Sequence, residues 1–297
     1  MASFIRNTAL MLALVIIIHG CRKESPLRPS AEGTDYFYNL PQGNHPFDAA
    51  IVDFYNEYKS FILYKYDSVD YNYDIIGKVE NGLTLRLADT TAISLALGFM
   101  HTNLLEPYPA AFLQMTMPFK ILLASSITIQ AVSGPDNNMQ PGTYHYSSFA
   151  GKNYLAFGLV NDSLKHLTGV QLDSARGWLN MAYWQQAIGS GIVSIPPGFS
   201  QLTDYNKMGA FGNDNPNKNQ YGVFFTTESH GRYDWVTDLL AYICVITSTD
   251  SATMHHSWLS ASYDVNGLYN EKYNLVTDFY KKTYGIDLQA IGDLKNK

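Results

Sequence analysis

The sequence predicts an α+β fold, and three observations carry that reading. Apolar residues return every three or four places in several long segments, as helices that bury one face require. Short runs rich in Ile, Leu, Tyr and Phe mark strands, and these fall in the first half of the chain. The two patterns are segregated along the sequence instead of alternating, which separates α+β from a doubly wound arrangement. A mixed sheet is therefore expected in the N-terminal part, about 47–170, and a mainly helical part over about 171–297.

The elements follow in order. Phe47, Ile51, Phe54, Tyr58, Phe61 and Ile62 recur at helical spacing. Asp89-Thr90 offers a cap for a second helix bearing Ile93, Leu95, Leu97, Met100 and Leu104. A short helix from Tyr108 to Met117 must stop at Pro118, whose ring cannot continue it. Phe119 to Ala124 and Ile127-Thr128-Ile129 read as two strands, and Tyr154 to Val160 as another. Ser174 can cap a helix running to about Ser190, where Gly189 and Gly191 end it. Gly209 to Asn219 is loop by its Gly and Asn content. Arg232 to Thr247 forms a strongly apolar helix, and a longer one spans about Val265 to Thr283, before Gly285.

The first 20 residues read as an export leader: Arg6 supplies a positive charge, Thr8 to Ile18 a short apolar core, and Gly20 a small residue before Cys21. That run is shorter than the roughly 20 residues that span a bilayer. Small-residue-Cys resembles the lipobox of bacterial lipoproteins, so Cys21 is the expected lipidation site and 1–20 the expected signal peptide. Residues 21–46, with Pro26, Pro29, Pro41 and Pro46, are the expected flexible tether, and 47–297 the domain. The Lys23-Glu24 pair resembles signals for display on the cell surface. A formal charge of −6 argues against a nucleic-acid partner, which needs a cationic face. With Cys21 acylated, Cys244 has no disulfide partner and reads as a small buried hydrophobe. Twenty-two tyrosines supply aromatic surface for packing, for sugar rings or for protein partners.

Several segments together resemble one family. They are Leu97-Gly98-Phe99-Met100 with Leu104 through Pro118, Lys120 through Ser126, Asn153 through Leu167, the helix from Trp178 and the apolar helix after Arg232. In order and spacing they look like the zinc-binding metallopeptidase lipoproteins associated with TonB-dependent, starch-utilisation-type uptake systems of the outer membrane. The resemblance covers most of the mature chain. It implies a zincin-like domain, a lipid-anchored place in the outer membrane, and two partners: a transporter and its companion binding lipoprotein.

The family's sharpest motif is an HExxH helix, followed later by a helix opening Glu-Asp-Phe-Ala-Glu. Two histidines one helical turn apart grip Zn²⁺ while the Glu activates its water. Here Trp184-Gln185-Gln186-Ala187-Ile188 takes the first place. Trp184 and Ile188 stand where the histidines belong, and Gln185 where the general base belongs. An indole and an alkyl chain offer no ligand lone pair, and an amide cannot take up a proton near neutral pH. The histidines are His19, His45, His101, His145, His166, His230, His255 and His256, and no two lie four apart. Downstream, Tyr233-Asp234-Trp235-Val236-Thr237 keeps only Asp234 and an aromatic of the second motif.

The former metal-site positions are thus Trp184, Gln185, Ile188 and Asp234, and no zinc is expected in this chain. Helical spacing sets Asp234, Thr237, Asp238 and Ala241 on a face away from the core. The resemblance implies that this face lines the former metal cleft, which makes Tyr233, Trp184, Gln185, Asp234 and Asp238 a candidate ligand-binding cleft, against the alternative that these side chains merely fill the hole left by a metal. Glu228, His230 and Asp234 form a relocated metal candidate. His255-His256 is expected in an exposed loop. Ser125-Ser126 lacks a nucleophile elbow, and a mid-helix Cys244 is inert. The expected role is a non-catalytic accessory or ligand-binding lipoprotein of a glycan or peptide uptake system. The alternatives are a zinc hydrolase with relocated ligands and a purely structural subunit.

Overall fold

The computed structural model describes residues 38–72, 82–131, 141–206, 218–224 and 234–295. Cys21 and the leader lie outside them, as do Tyr233, Glu228, His230 and most of the Gly209–Asn219 stretch. The compact unit starts at Leu40. Residues expected in the tether are therefore pinned: Gln42 Oε1 accepts from Tyr64 N at 2.8 Å, and Asp48 Oδ2 accepts from His45 N at 2.8 Å.

The first helix, α1, is Asp48–Tyr58. It ends where Lys59 takes a left-handed φ of 54°, so Phe61 and Ile62, expected in the helix, lie instead in β1, Phe61–Leu63. A short α2 is Val69–Asn72 and β2 is Leu83–Leu87. Asp89 caps as expected, accepting from Thr91 N at 2.9 Å. A 3₁₀ turn, Thr90–Ala92, leads into α3, Ile93–Met100, which widens into a π turn over His101–Leu105. Helix α4 is Ala110–Thr116.

The two strands expected between Phe119 and Ile129 are one, β3, Lys120–Ala131. It is joined by β4, Gly142–Tyr146, β5, Ser148–Ala150, and β6, Tyr154–Phe157. Among the described residues all six strands form one mixed sheet built on β3. The first part of β3 pairs in parallel with β1 (Phe61 opposite Lys120) and β6 (Lys120 opposite Tyr154). Its second part pairs antiparallel with β2 (Leu85 opposite Ile127) and β4 (Ile127 opposite Tyr146). Ser125 and Ser126, which break the apolar run in the sequence, sit where β3 changes neighbours. A bulge between Arg86 and Leu87 faces that change, and Ser125 O accepts from Asn161 Nδ2 at 2.6 Å.

The second half is helical. Helix α5, Gly169–Gly189, starts five residues before the expected Ser174, because Thr168 and Gln171 close a capping box. Helix α6 is Trp235–Ser248, and α7, Ser251–Thr253, runs into a π turn over Met254–Trp258. His255 and His256 thus lie on a helical turn, not in a loop, and both are exposed. Helices α8, Leu268–Tyr284, and α9, Leu288–Gly292, complete the chain. Helix α5 packs on β5, β6 and α6. The shared core includes Ile121, Leu123, Leu155 and Phe157 of the sheet with Leu179, Tyr183, Ile243 and Val276 of the helices. Among the described residues no helix is long and apolar enough to cross a membrane.

Candidate functional site

Helix α5 carries the positions that the family resemblance assigns to a metal. Trp184 is fully buried among Tyr280, Phe112 and Tyr108, with the Tyr280 centroid 4.4 Å away. Its Nε1–H donates to Tyr108 Oη at 2.8 Å. The Tyr108 hydroxyl in turn donates to Asn180 Oδ1 at 2.6 Å, and Asn180 Nδ2 donates to Asn103 O at 3.1 Å and Arg176 O at 2.9 Å. Every polar atom named in this relay is partnered, as burial in a low-dielectric interior demands. Burial lifts the Tyr108 hydroxyl far above its ordinary value, keeping it a neutral donor.

Gln185, one residue on, is exposed, and Ile188 is half-buried against the core. Asp234 is also exposed and serves as the N-cap of α6, taking Thr237 N and Thr237 Oγ1 at 2.9 Å each. These residues do not fit zinc. The indole N–H is already spent on Tyr108, Ile188 has no donor atom, and Asp234 is committed to a helix end. Among the described residues no three His, Cys, Asp or Glu side chains gather where they could share a metal ion.

Asp238 corrects the expected cleft. It does not line an open face but is fully buried, with its Oδ2 accepting from Lys272 Nζ at 2.5 Å and from Tyr205 Oη at 2.8 Å. Lys272, equally buried, lies 5.5 Å from the Phe199 ring centroid and 5.6 Å from that of Tyr242. Burial pulls its ammonium below the ordinary lysine value, and the Asp238 carboxylate opposes that pull. Burial, reinforced by Asp238, pushes the Tyr205 hydroxyl up.

The same cluster holds residues 220–223 by their carbonyls. Asn266 Nδ2 donates to Gln220 O at 2.9 Å and Thr203 Oγ1 to Tyr221 O at 2.7 Å. Lys272 Nζ and Tyr242 Oη donate to Gly222 O at 2.9 and 2.8 Å, and Tyr269 Oη donates to Val223 O at 2.8 Å. Four successive acceptors are satisfied by side chains from three places in the sequence. Among the described residues of the expected set, the structure thus gives Trp184 and Asp238 separate surroundings.

The fold has a structural counterpart. It resembles a crystal structure from Bacteroides caccae ATCC 43185 described as a "putative zinc-binding metallo-peptidase", with a TM-score of 0.50 and 14% sequence identity over 83% of this chain and 88% of that one. At that identity the likeness speaks for the fold alone. No protein-family model matches the sequence, and no curated protein matches it.

Sequence reasoning missed Tyr108, Arg176 and the Asp238–Lys272 pair. A signal was present for the last. Tyr269, Val276 and Tyr280 form an apolar stripe on α8, and Lys272 falls on the same stripe. A charge there needs a buried partner.

Proposed function

We propose that this chain is a non-catalytic, zincin-like lipoprotein, anchored through Cys21 in the outer membrane facing the cell exterior, and an accessory component of a nutrient uptake system. The observation that carries the reading is the Trp184–Tyr108–Asn180 relay. At the position that the family resemblance gives to the first zinc ligand stands an indole held in a satisfied buried network, which supports a packing role there. The family resemblance and the fold likeness support the zincin-like part. The transporter and companion binding lipoprotein come from the resemblance. The buried indole favours an accessory or structural role over ligand binding at that spot.

Two measurements test this. Protein purified without chelators is expected to carry no stoichiometric zinc and to show no zinc-dependent peptidase activity; one zinc per chain would revive the hydrolase reading. In the native host, Cys21→Ser is expected to abolish palmitate labelling and membrane retention. The wild-type chain is expected to co-purify with an outer-membrane transporter from detergent extracts. Retention of the Cys21→Ser chain in the membrane would remove the lipoprotein assignment.

A further inference from the structure

A cleft of about 1130 Å³ opens where the start of α5, the end of α6, the α7 turn and the end of α9 meet. Trp184, Gln185, Ile188, Asp234 and Asp238 are not among the residues that line it. Its aromatic wall is made by Trp178, Trp258 and Tyr263, each partly exposed. Trp258 is held edge-on to Tyr263 at 4.9 Å and to Phe224 at 5.4 Å, so its ring is fixed before any ligand arrives.

The elements around the cleft are also tied together from behind its lining. Arg176, 1% exposed, donates through Nε to Thr247 O at 2.8 Å, through Nη1 to Leu294 O at 3.0 Å and through Nη2 to Gly292 O at 3.2 Å. One guanidinium thus ties three of the four elements that form the cleft. Preorganisation of this kind lowers the cost of binding.

Three carboxylates reach the cleft, and each is already held. Asp173 accepts from Arg176 Nη2 at 2.7 Å. Asp250 takes Thr253 N at 2.9 Å and Thr253 Oγ1 at 2.7 Å, and Asp293 takes Ser251 N at 2.6 Å. They are oriented acceptors with partly compensated charge, beside the hydroxyls of Ser174 and Ser248. Lys295 also lines the cleft and Arg176 already pairs with Asp173, so positive and negative groups nearly balance there and neither an anion nor a cation meets a strong opposite field. A lipid chain would leave these groups desolvated without partners. A neutral pyranose fits: its C–H face stacks on an indole, and its hydroxyls donate to fixed acceptors.

We infer that this cleft binds a neutral oligosaccharide, with Trp178 and Trp258 as stacking faces and Asp173 and Asp293 as hydroxyl acceptors. The inference stands on the cleft alone, since sugar binding by purified protein and recovery of a transporter from membranes can each fail without the other.

The test is calorimetric titration of the full-length protein in detergent with cello-, malto-, xylo- and chitohexaose, at low and high salt. Saturable binding of at least one sugar, insensitive to salt, is expected. Trp178→Ala and Trp258→Ala are each expected to weaken it about tenfold or more, roughly 1.4 kcal/mol per decade. Val170→Arg, on a rim residue 79% exposed and free of core packing, obstructs the mouth without risk to folding and should weaken binding similarly. The inference is overturned if none of the four sugars binds at millimolar concentration, or if binding survives Val170→Arg and both tryptophan variants unchanged. It is equally overturned if oligolysine binds in a salt-sensitive manner where the sugars do not.

Discussion

The indole of Trp184 carries one polar atom into a fully buried place, where Tyr108 Oη accepts its proton. Phenylalanine there keeps most of the ring packing but leaves the Tyr108 oxygen without its donor. Trp184→Phe is therefore expected to cost about 1–3 kcal/mol, and Trp184→Ala about 3–5 kcal/mol through the cavity it opens, both read from urea unfolding. Asp238 and Lys272 obey a different rule, because each neutralises the other at zero exposure. Removing one leaves a buried unpaired charge, so Asp238→Leu and Lys272→Met should each cost about 3–5 kcal/mol. The double variant should recover much of that loss, and a double-mutant cycle would show the coupling. Equal and additive losses would mean that the pair is not the unit of stability.

Among the elements, α5 and α6 are held at close range by Gly177. A Cβ built there would stand 2.7 Å from Cys244 O, a backbone atom that cannot swing aside. Gly177→Ala is expected to lower stability by about 1–3 kcal/mol through overpacking, measurable as a lower thermal midpoint. Arg176→Lys keeps the charge but not the planar fork that reaches three carbonyls and Asp173. A loss of about 2 kcal/mol or more is expected in the same assay. These two helices, with α8, were also the most legible from sequence, since long apolar periodicity leaves little room for another reading. Their caps were less so: Thr168 outcompetes Ser174 because only Thr168 has Gln171 at the third position to close the box. Strands β2, β4 and β5 went unnoticed because they are five residues or fewer and owe their place to partners elsewhere in the chain, β3 for β2 and β4 and β6 for β5. The inward place of Asp238 was missed for a related reason. A helical face calculated from spacing set Asp238 outward, whereas the cation on α8 that draws it inward is 34 residues away.

At the scale of the whole molecule, buried tyrosines make the fold sensitive to alkali. Burial raises Tyr183, Tyr242, Tyr269 and Tyr280 above the ordinary value, and Tyr58 is pushed up to about 12, chiefly by burial and then by Glu57. Below pH 10 both folded and unfolded chains keep these protons, and their contribution to stability is complete. As pH climbs past about 10, the unfolded chain sheds protons that the folded chain retains, so stability falls. Urea midpoints should decline steadily above that pH, and the part of the tyrosinate absorbance that belongs to these buried side chains should appear only as the chain unfolds, after that of half-buried ones such as Tyr71 and Tyr144. Full tyrosinate absorbance without unfolding would contradict the burial described here.

The arrangement of the sheet around β3 also sets a timetable for folding. β1 meets its partner 59 residues later in the chain, and β6 pairs with a strand 34 residues before it. Such distant parallel pairing is slow, because each loop must close before any contact rewards it. β1 and β2 thus wait unpaired until Lys120–Ala131 has been synthesised, whereas α5 makes its own hydrogen bonds within one continuous segment and can form without the sheet. Pulse-labelling hydrogen exchange should find the amides of β1, β2 and β6 becoming protected in one late step, after those of α5. A strand that gained protection ahead of β3 would place the nucleus somewhere else.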